Sequence, residues 1–127
     1  KGVSRVAYYF SKTLDLSFEE AITRATESLK VEGFGVLTEI DVTATLKKKL
    51  DVDFRDYRIL GACNPHFAHK ALSSEDKIGT MLPCNVIVQD VGRGRVEVAA
   101  VDPVASMQAI HNPELHDIAK ELLERCY

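Results

Sequence analysis

Two Cys-Asn pairs are the part of this sequence whose residue types and spacing could support chemistry. They are Cys63-Asn64 and Cys84-Asn85. The pattern predicts that Cys63 ends a strand and that Asn64, followed by proline, begins a helix. A thiol in that position faces backbone N–H groups and the positive end of the helix dipole, which favour the thiolate. His66 lies in the first helical turn, so a thiol enzyme or redox carrier would use Cys63 as nucleophile and His66 as base.

The same segment offers a set of ligands for a zinc-like metal. His69 follows His66 by three residues, and Cys84 opens the next predicted strand. If that strand lies beside the strand that ends at Cys63, the two sulfurs could approach each other; a disulfide would need Cα atoms within about 7 Å. The predicted Cys₂His₂ set consists of Cys63, His66, His69 and Cys84. Its spacing matches no standard zinc motif, so the sequence does not require a metal.

The two asparagines differ in how much of their role the sequence explains. Asn64 has a structural role as a helix cap, whereas Asn85 begins a strand, where asparagine is disfavoured. The Asn85 amide is therefore expected to satisfy a nearby backbone group or a ligand. The predicted ligand-binding residues are Cys63, Asn64, Cys84 and Asn85. Both cysteines could instead be core residues, because cysteine is among the most buried residue types.

The spacing of apolar residues predicts the elements that position this segment. The first strand covers residues 3–11 and is apolar on both faces, as in a central strand or one covered by a partner subunit. Ser17 and Glu20 form a capping box for the first helix, which Gly33 ends. Further strands are predicted over residues 34–40, 57–63, 86–91 and 95–101, with further helices after Asp41 or Thr43, after Asn64 and after Asn112.

The resulting order, βαβαβαββα, predicts an α+β fold with one mixed or antiparallel sheet and helices packed on it. A length of 127 residues suits a single domain over residues 1–127. Two helices have predicted buried stripes, formed by Phe67, Ala68, Ala71 and Leu72 in the third helix and by Leu115, Ile118, Ala119, Leu122, Leu123 and Cys126 in the last.

Charge and composition argue against several classes of partner. The net charge is −3, and lysines and arginines are spread along the chain, which does not suit a nucleic-acid-binding protein. No apolar run is long enough to cross a membrane, so no membrane association is expected. Three scattered cysteines do not form a disulfide framework, which favours a reducing compartment and a cytoplasmic location.

Three blocks of sequence resemble a known family. They are GFGVLTEIDV at residues 33–42, ILGACNP at residues 59–65 and LPCNV at residues 82–86. With these blocks the chain resembles the small bacterial and archaeal proteins called domain of unknown function 302, from about Tyr8 to the final helix. The resemblance implies a compact α+β domain that often forms a dimer. It implies no activity and supplies no catalytic residue.

These observations predict a binding or sensing module, as a homodimer, with a small-ligand or metal site near Cys63 and Asn85. One alternative is the thiol enzyme or redox protein described above. Another is an interaction domain without a small-molecule site, in which the first strand, with Tyr8 and Tyr9, forms the partner surface.

Overall fold

The protein is described by a computed structural model that covers the backbone of residues 3–5, 8–107 and 110–126 and the side chains of residues 8–107 and 110–124. Within these ranges six strands and five α-helices follow each other, with one 3₁₀-helix over Asp76–Met81. The elements are β1 Val3–Arg5, β2 Tyr9–Leu14, α1 Phe18–Val31, β3 Gly35–Asp41, α2 Val42–Leu50, β4 Tyr57–Cys63, α3 Pro65–Ser74, β5 Cys84–Gly92, β6 Arg95–Val101, α4 Pro103–Ser106 and α5 Pro113–Cys126.

The strands form one sheet in the order β1-β2-β6-β5-β4-β3, and every neighbouring pair is antiparallel. The predicted α+β single domain and its order of elements are confirmed. The extent of the first strand was predicted wrongly, because residues 3–11 contribute to two paired strands, with Val3 opposite Lys12. These strands lie at one edge of the sheet and not at its centre; Val6 and Ala7, part of that prediction, lie outside the described residues.

The helix ends follow the capping residues read from the sequence. Ser17 and Glu20 form the predicted capping box at the start of α1, and Gly33 adopts a φ of 86° just beyond its end. Of the two candidates for the start of α2, Asp41 is the cap, since its carboxylate accepts the Ala44 N–H. The Asn64 side chain caps α3.

The core lies between the helices and one face of the sheet. Ala21 and Ile22 of α1 contact the centre of that face, where the buried strand residues are Leu60, Val86, Val88 and Val96. Helices α3 and α5 extend this core beyond the end of β4. The predicted stripe of α3 holds for Phe67 and Ala71 but not for Leu72, which is 45% exposed. The side chain of Cys126 lies outside the described residues.

The other face of the sheet carries a row of apolar residues. The strand registers place Ile40, Ile59, Ile87 and Ala99 side by side on neighbouring strands. We call this surface the open face, because none of these four residues belongs to a core cluster of the described residues, and Ile40 is 49% exposed. Among the described residues no helix is both long and apolar enough to cross a membrane.

Candidate functional site

The two Cys-Asn pairs lie beside each other in the sheet. Strands β4 and β5 pair so that Ala62 is opposite Cys84 and Gly61 is opposite Asn85, which meets the condition for the two blocks to lie close together. Cys63 and Cys84 are both free thiols and both line a cavity of about 30 Å³ between the sheet and helices α3 and α5. A cavity of this size holds one or two water molecules at most, so it is not itself a ligand site.

Burial determines the protonation of Cys84. Its side chain contacts the core cluster that contains Phe34 and Ala62. Loss of solvent and, as the smaller cause, the nearby Cys63 together raise the pKa of the Cys84 thiol to about 11. Cys84 therefore stays a neutral thiol at physiological pH, which makes it a poor nucleophile.

The two predicted histidines are turned away from the cysteines. His66 and His69 are both exposed on α3, whose buried side carries Phe67 and Ala71. Among the described residues no group of three or more His, Cys, Asp or Glu side chains could hold a metal ion. The predicted set of Cys63, His66, His69 and Cys84 is therefore not assembled in this structure, because helix rotation points both imidazoles to solvent.

The predicted catalytic pair is not hydrogen-bonded either. Within the part of the chain that the structure describes, no side-chain hydrogen bond joins Cys63 to His66, whose backbone N–H donates to the Asn64 side chain at 3.1 Å. Cys63 is half-buried at the end of β4. The sequence placed it correctly before the helix, but no base among the described residues forms a hydrogen bond with it.

Asn64 and Asn85 have opposite environments. Asn64 is 6% exposed, and its side-chain oxygen accepts the N–H groups of His66 and Phe67. Asn85 is exposed, and its side-chain amide has no hydrogen bond to any residue that the structure describes. The expected backbone partner is therefore absent among the described residues, and a ligand of Asn85 stays a prediction.

A close approach at Gly61 was not recognised from the sequence. A Cβ atom at Gly61 would collide with Thr38 Oγ1 and lie 2.8 Å from Pro83 Cγ. Because Gly61 has no side chain, Thr38 of β3 and Pro83 can pack directly against the backbone of β4. A glycine in the middle of a predicted strand was the available indication.

The largest cavity beside the cysteine blocks is a groove of about 410 Å³ between α1 and the helix-covered face of the sheet. We call it the α1 groove. Its floor comes from β2, β5 and β6, and its end wall includes Cys84 and Asn85. The lining residues are Phe10, Ser11, Lys12, Leu14, Arg24, Ala25, Ser28, Leu29, Glu32, Phe34, Ala62, Cys84, Asn85, Val86, Val98, Ala100 and Val101. Most of them are apolar, which is typical of small-molecule sites.

The rim of the α1 groove is charged. Lys12 rises from β2 opposite Val98, and Arg24 and Glu32 belong to a stripe of α1 that recurs every four residues. In the described parts of the chain neither Lys12 nor Arg24 takes part in a salt bridge. The sequence did not indicate this groove, because its walls come from segments far apart along the chain.

A second charged cluster surrounds Arg58 at the other end of the sheet. Its guanidinium lies 2.6 Å from a Glu39 oxygen, 3.4 Å from Glu19 and 3.7 Å from Asp41. The hydrogen bond that Arg58 donates to the Glu39 carboxylate raises the pKa of Arg58, against the opposing effect of burial. The guanidinium also lies over the Phe18 ring. These contacts tie β4 to α1 and β3, so we assign Arg58 a structural role.

The fold and the groove define a class: a small single-domain α+β protein whose antiparallel sheet is covered by helices on one face. A sequence model of the family described as domain of unknown function DUF302 matches residues 10–127. The chain therefore belongs to the DUF302 family. A crystal structure of an uncharacterized conserved DUF302 protein from Bacillus stearothermophilus is similar to it, with a TM-score of 0.86 and 31% sequence identity. The match covers 94% of this chain and 93% of that chain. No curated protein matches this chain significantly.

Proposed function

We propose that the protein is a binding module for a small organic molecule, and that the α1 groove is its binding site. The observation that carries this proposal is a mostly apolar cavity of about 410 Å³ whose end wall contains Cys84 and Asn85. Ligand sites in proteins have volumes of roughly 300–1,000 Å³ and combine apolar walls with a few polar groups. The α1 groove has that size and that composition.

The thiol of the groove is suited to contacting a ligand and not to reacting with it. Cys84 faces the groove with a pKa of about 11, which keeps it protonated. Asn85 borders the groove, but the register of β4 and β5 places its side chain on the open face with Ile87. A binding or sensing role accords with this arrangement better than a thiol enzyme does, because the exposed His66 has no hydrogen bond to Cys63 in the described structure.

Two adjacent alanines of β6 allow a direct test of this site. Ala100 faces the groove opposite Phe10 and Val86, whereas its neighbour Ala99 faces the open side opposite Ile87. The neutral fluorescent probe N-phenyl-1-naphthylamine should bind the native protein, and Ala100→Leu should weaken that binding about tenfold by filling the groove.

The matched control is Ala99→Leu, which adds the same side chain to the opposite face and should leave probe binding unchanged. Absence of probe binding to the wild type, or equal effects of the two substitutions, would overturn the assignment of the α1 groove.

The open face supports a second candidate, the homodimer. Its central row of Ile40, Ile59, Ile87 and Ala99 contains no charge. A two-fold interface brings the same patch of both subunits together, so an uncharged centre suits a second copy of this chain. Light scattering should show a dimer that Ile87→Glu converts to a monomer; a wild-type monomer at high concentration would remove this candidate.

We also propose a reducing, cytoplasmic location. The chain has three scattered cysteines, which form no disulfide framework. Such cysteine usage is typical of proteins in reducing compartments.

A further inference from the structure

We propose that the natural ligand of the α1 groove is a small amphipathic anion, with an apolar body and a single anionic group at one end. This inference rests on the proposed function and adds the chemical class of the ligand. It follows from the position of charges around the groove.

Two cations line the groove, one from the sheet and one from α1. Lys12 projects from β2 on the helix-covered side, and Arg24 projects from the middle of α1. Both are exposed, and no described carboxylate forms a salt bridge with either. Glu20 lies one turn before Arg24 and interacts with it electrostatically, while its carboxylate also accepts the Ser17 N–H at the start of the helix. A ligand anion between Lys12 and Arg24 would add a direct ion pair with both cations, which no described carboxylate forms.

A carboxylate marks one end of the groove. Glu32 lies eight residues after Arg24, which corresponds to roughly 12 Å along a helix. At this end the groove is closed by Phe34, Cys84 and Asn85. A second anionic group on the ligand would meet Glu32 and be repelled, so one anionic group fits and two do not.

The surface between these charged groups is apolar. Val98 and Ala100 of β6 form the floor, and Leu29 of α1 forms part of the wall. An apolar ligand body lying on this surface would displace water from side chains that the protein itself leaves only partly covered. The charge pattern also fixes the direction of binding, with the anionic group near Lys12 and Arg24.

Two probes with the same aromatic skeleton but different charge distinguish the contribution of the anionic group to binding from that of the apolar body. 8-Anilino-1-naphthalenesulfonate is the sulfonated counterpart of N-phenyl-1-naphthylamine. We expect the native protein to bind the anionic probe about tenfold more tightly than the neutral one. Lys12→Gln combined with Arg24→Gln should abolish this preference, because it weakens binding of the anionic probe far more than binding of the neutral one.

Glu32→Gln is the matched control, since it removes a charge of opposite sign from the same groove. It should leave the preference for the anionic probe intact or raise it about twofold. Equal binding of both probes to the wild type, or a preference that survives the double substitution, overturns the anionic ligand but leaves the binding function standing. Failure of both probes to bind overturns the proposed function itself.

Discussion

The same dipeptide, Cys-Asn, occurs twice in neighbouring positions of the sheet and has different physical roles in the two. In Cys63-Asn64 the cysteine ends a strand and the asparagine is buried as a helix cap. In Cys84-Asn85 the cysteine is held in the core and the asparagine is exposed beside a groove. The first pair shapes the backbone, whereas the second pair lines a surface that a ligand can reach.

This difference shows that the role of a Cys-Asn pair depends on whether it ends a strand or begins one. A strand that ends leaves Asn64 at the free N–H groups of the next helix. Asn85 lies at the start of β5, where its backbone pairs with Gly61 of β4. Its side chain is not needed to satisfy any backbone hydrogen-bonding group there. Substitutions around the two pairs therefore test whether their structural roles differ as described.

The largest effect is expected at Gly61, which precedes the first pair and lies opposite Asn85 of the second. Gly61→Ala should destabilise the protein by about 2 kcal/mol, because a methyl group would collide with Thr38 and Pro83. Urea unfolding measures the change. Gly35→Ala is the control, since a Cβ there meets no atom within 4 Å, and it should change the stability by less than about 0.5 kcal/mol. Equal effects would contradict the close approach.

The next effect concerns the two asparagines. Asn64→Ala should lower the free energy of unfolding by about 1–2 kcal/mol, because two backbone N–H groups lose their acceptor. Asn85→Ala should lower it by less than about 0.5 kcal/mol, since its amide is exposed. Thermal and urea unfolding of the two variants check this directly. Comparable losses at both positions would mean that the two pairs are not distinct.

The smallest effect is a pH dependence due to Cys84. Its pKa is raised from 9.0 to about 11 in the folded protein, so the folded state holds the thiol proton more tightly than the unfolded state does. The resulting stabilisation is complete below about pH 9 and is lost as the pH rises towards 11. We expect a loss of about 1 kcal/mol, less than the full equivalent of the shift because Cys84 is only partly buried.

Urea unfolding at pH 8 and at pH 10.5 measures this loss. Cys84→Ala should lack this part of the alkaline destabilisation, while other titrating groups affect wild type and variant alike. An identical pH dependence in the two proteins would show that the Cys84 thiol is not protected by the fold.

Local patterns predicted local structure well. The capping box of Ser17 and Glu20, the strand Tyr57–Cys63 and the Asn64 cap all depend on residues within a few positions of each other. The outward direction of His69 was also available from the sequence, because a residue two positions after Phe67 lies roughly 200° around the helix from it. Grouping the histidines by spacing alone missed this geometry.

The α1 groove could not be predicted in the same way. Its floor exists because β2 pairs with β6, which brings Lys12 opposite Val98. No local pattern specifies that pairing, and an antiparallel sheet of six strands allows many orders. The division of residues 3–11 into two strands was missed for a related reason, since both strands are apolar enough to have been taken for one.

The pairing of β2 with β6 also has a consequence for how the chain folds during synthesis. Tyr9 lies opposite Val101, so β2 cannot pair with β6 until most of the chain has left the ribosome. The α1 groove is therefore complete only after β2 has paired with β6. Contacts of such long sequence separation slow folding, because the entropy of closing the intervening loop is lost before the contact is gained. We therefore expect the β5–β6 hairpin to form early and the N-terminal strands to join it last.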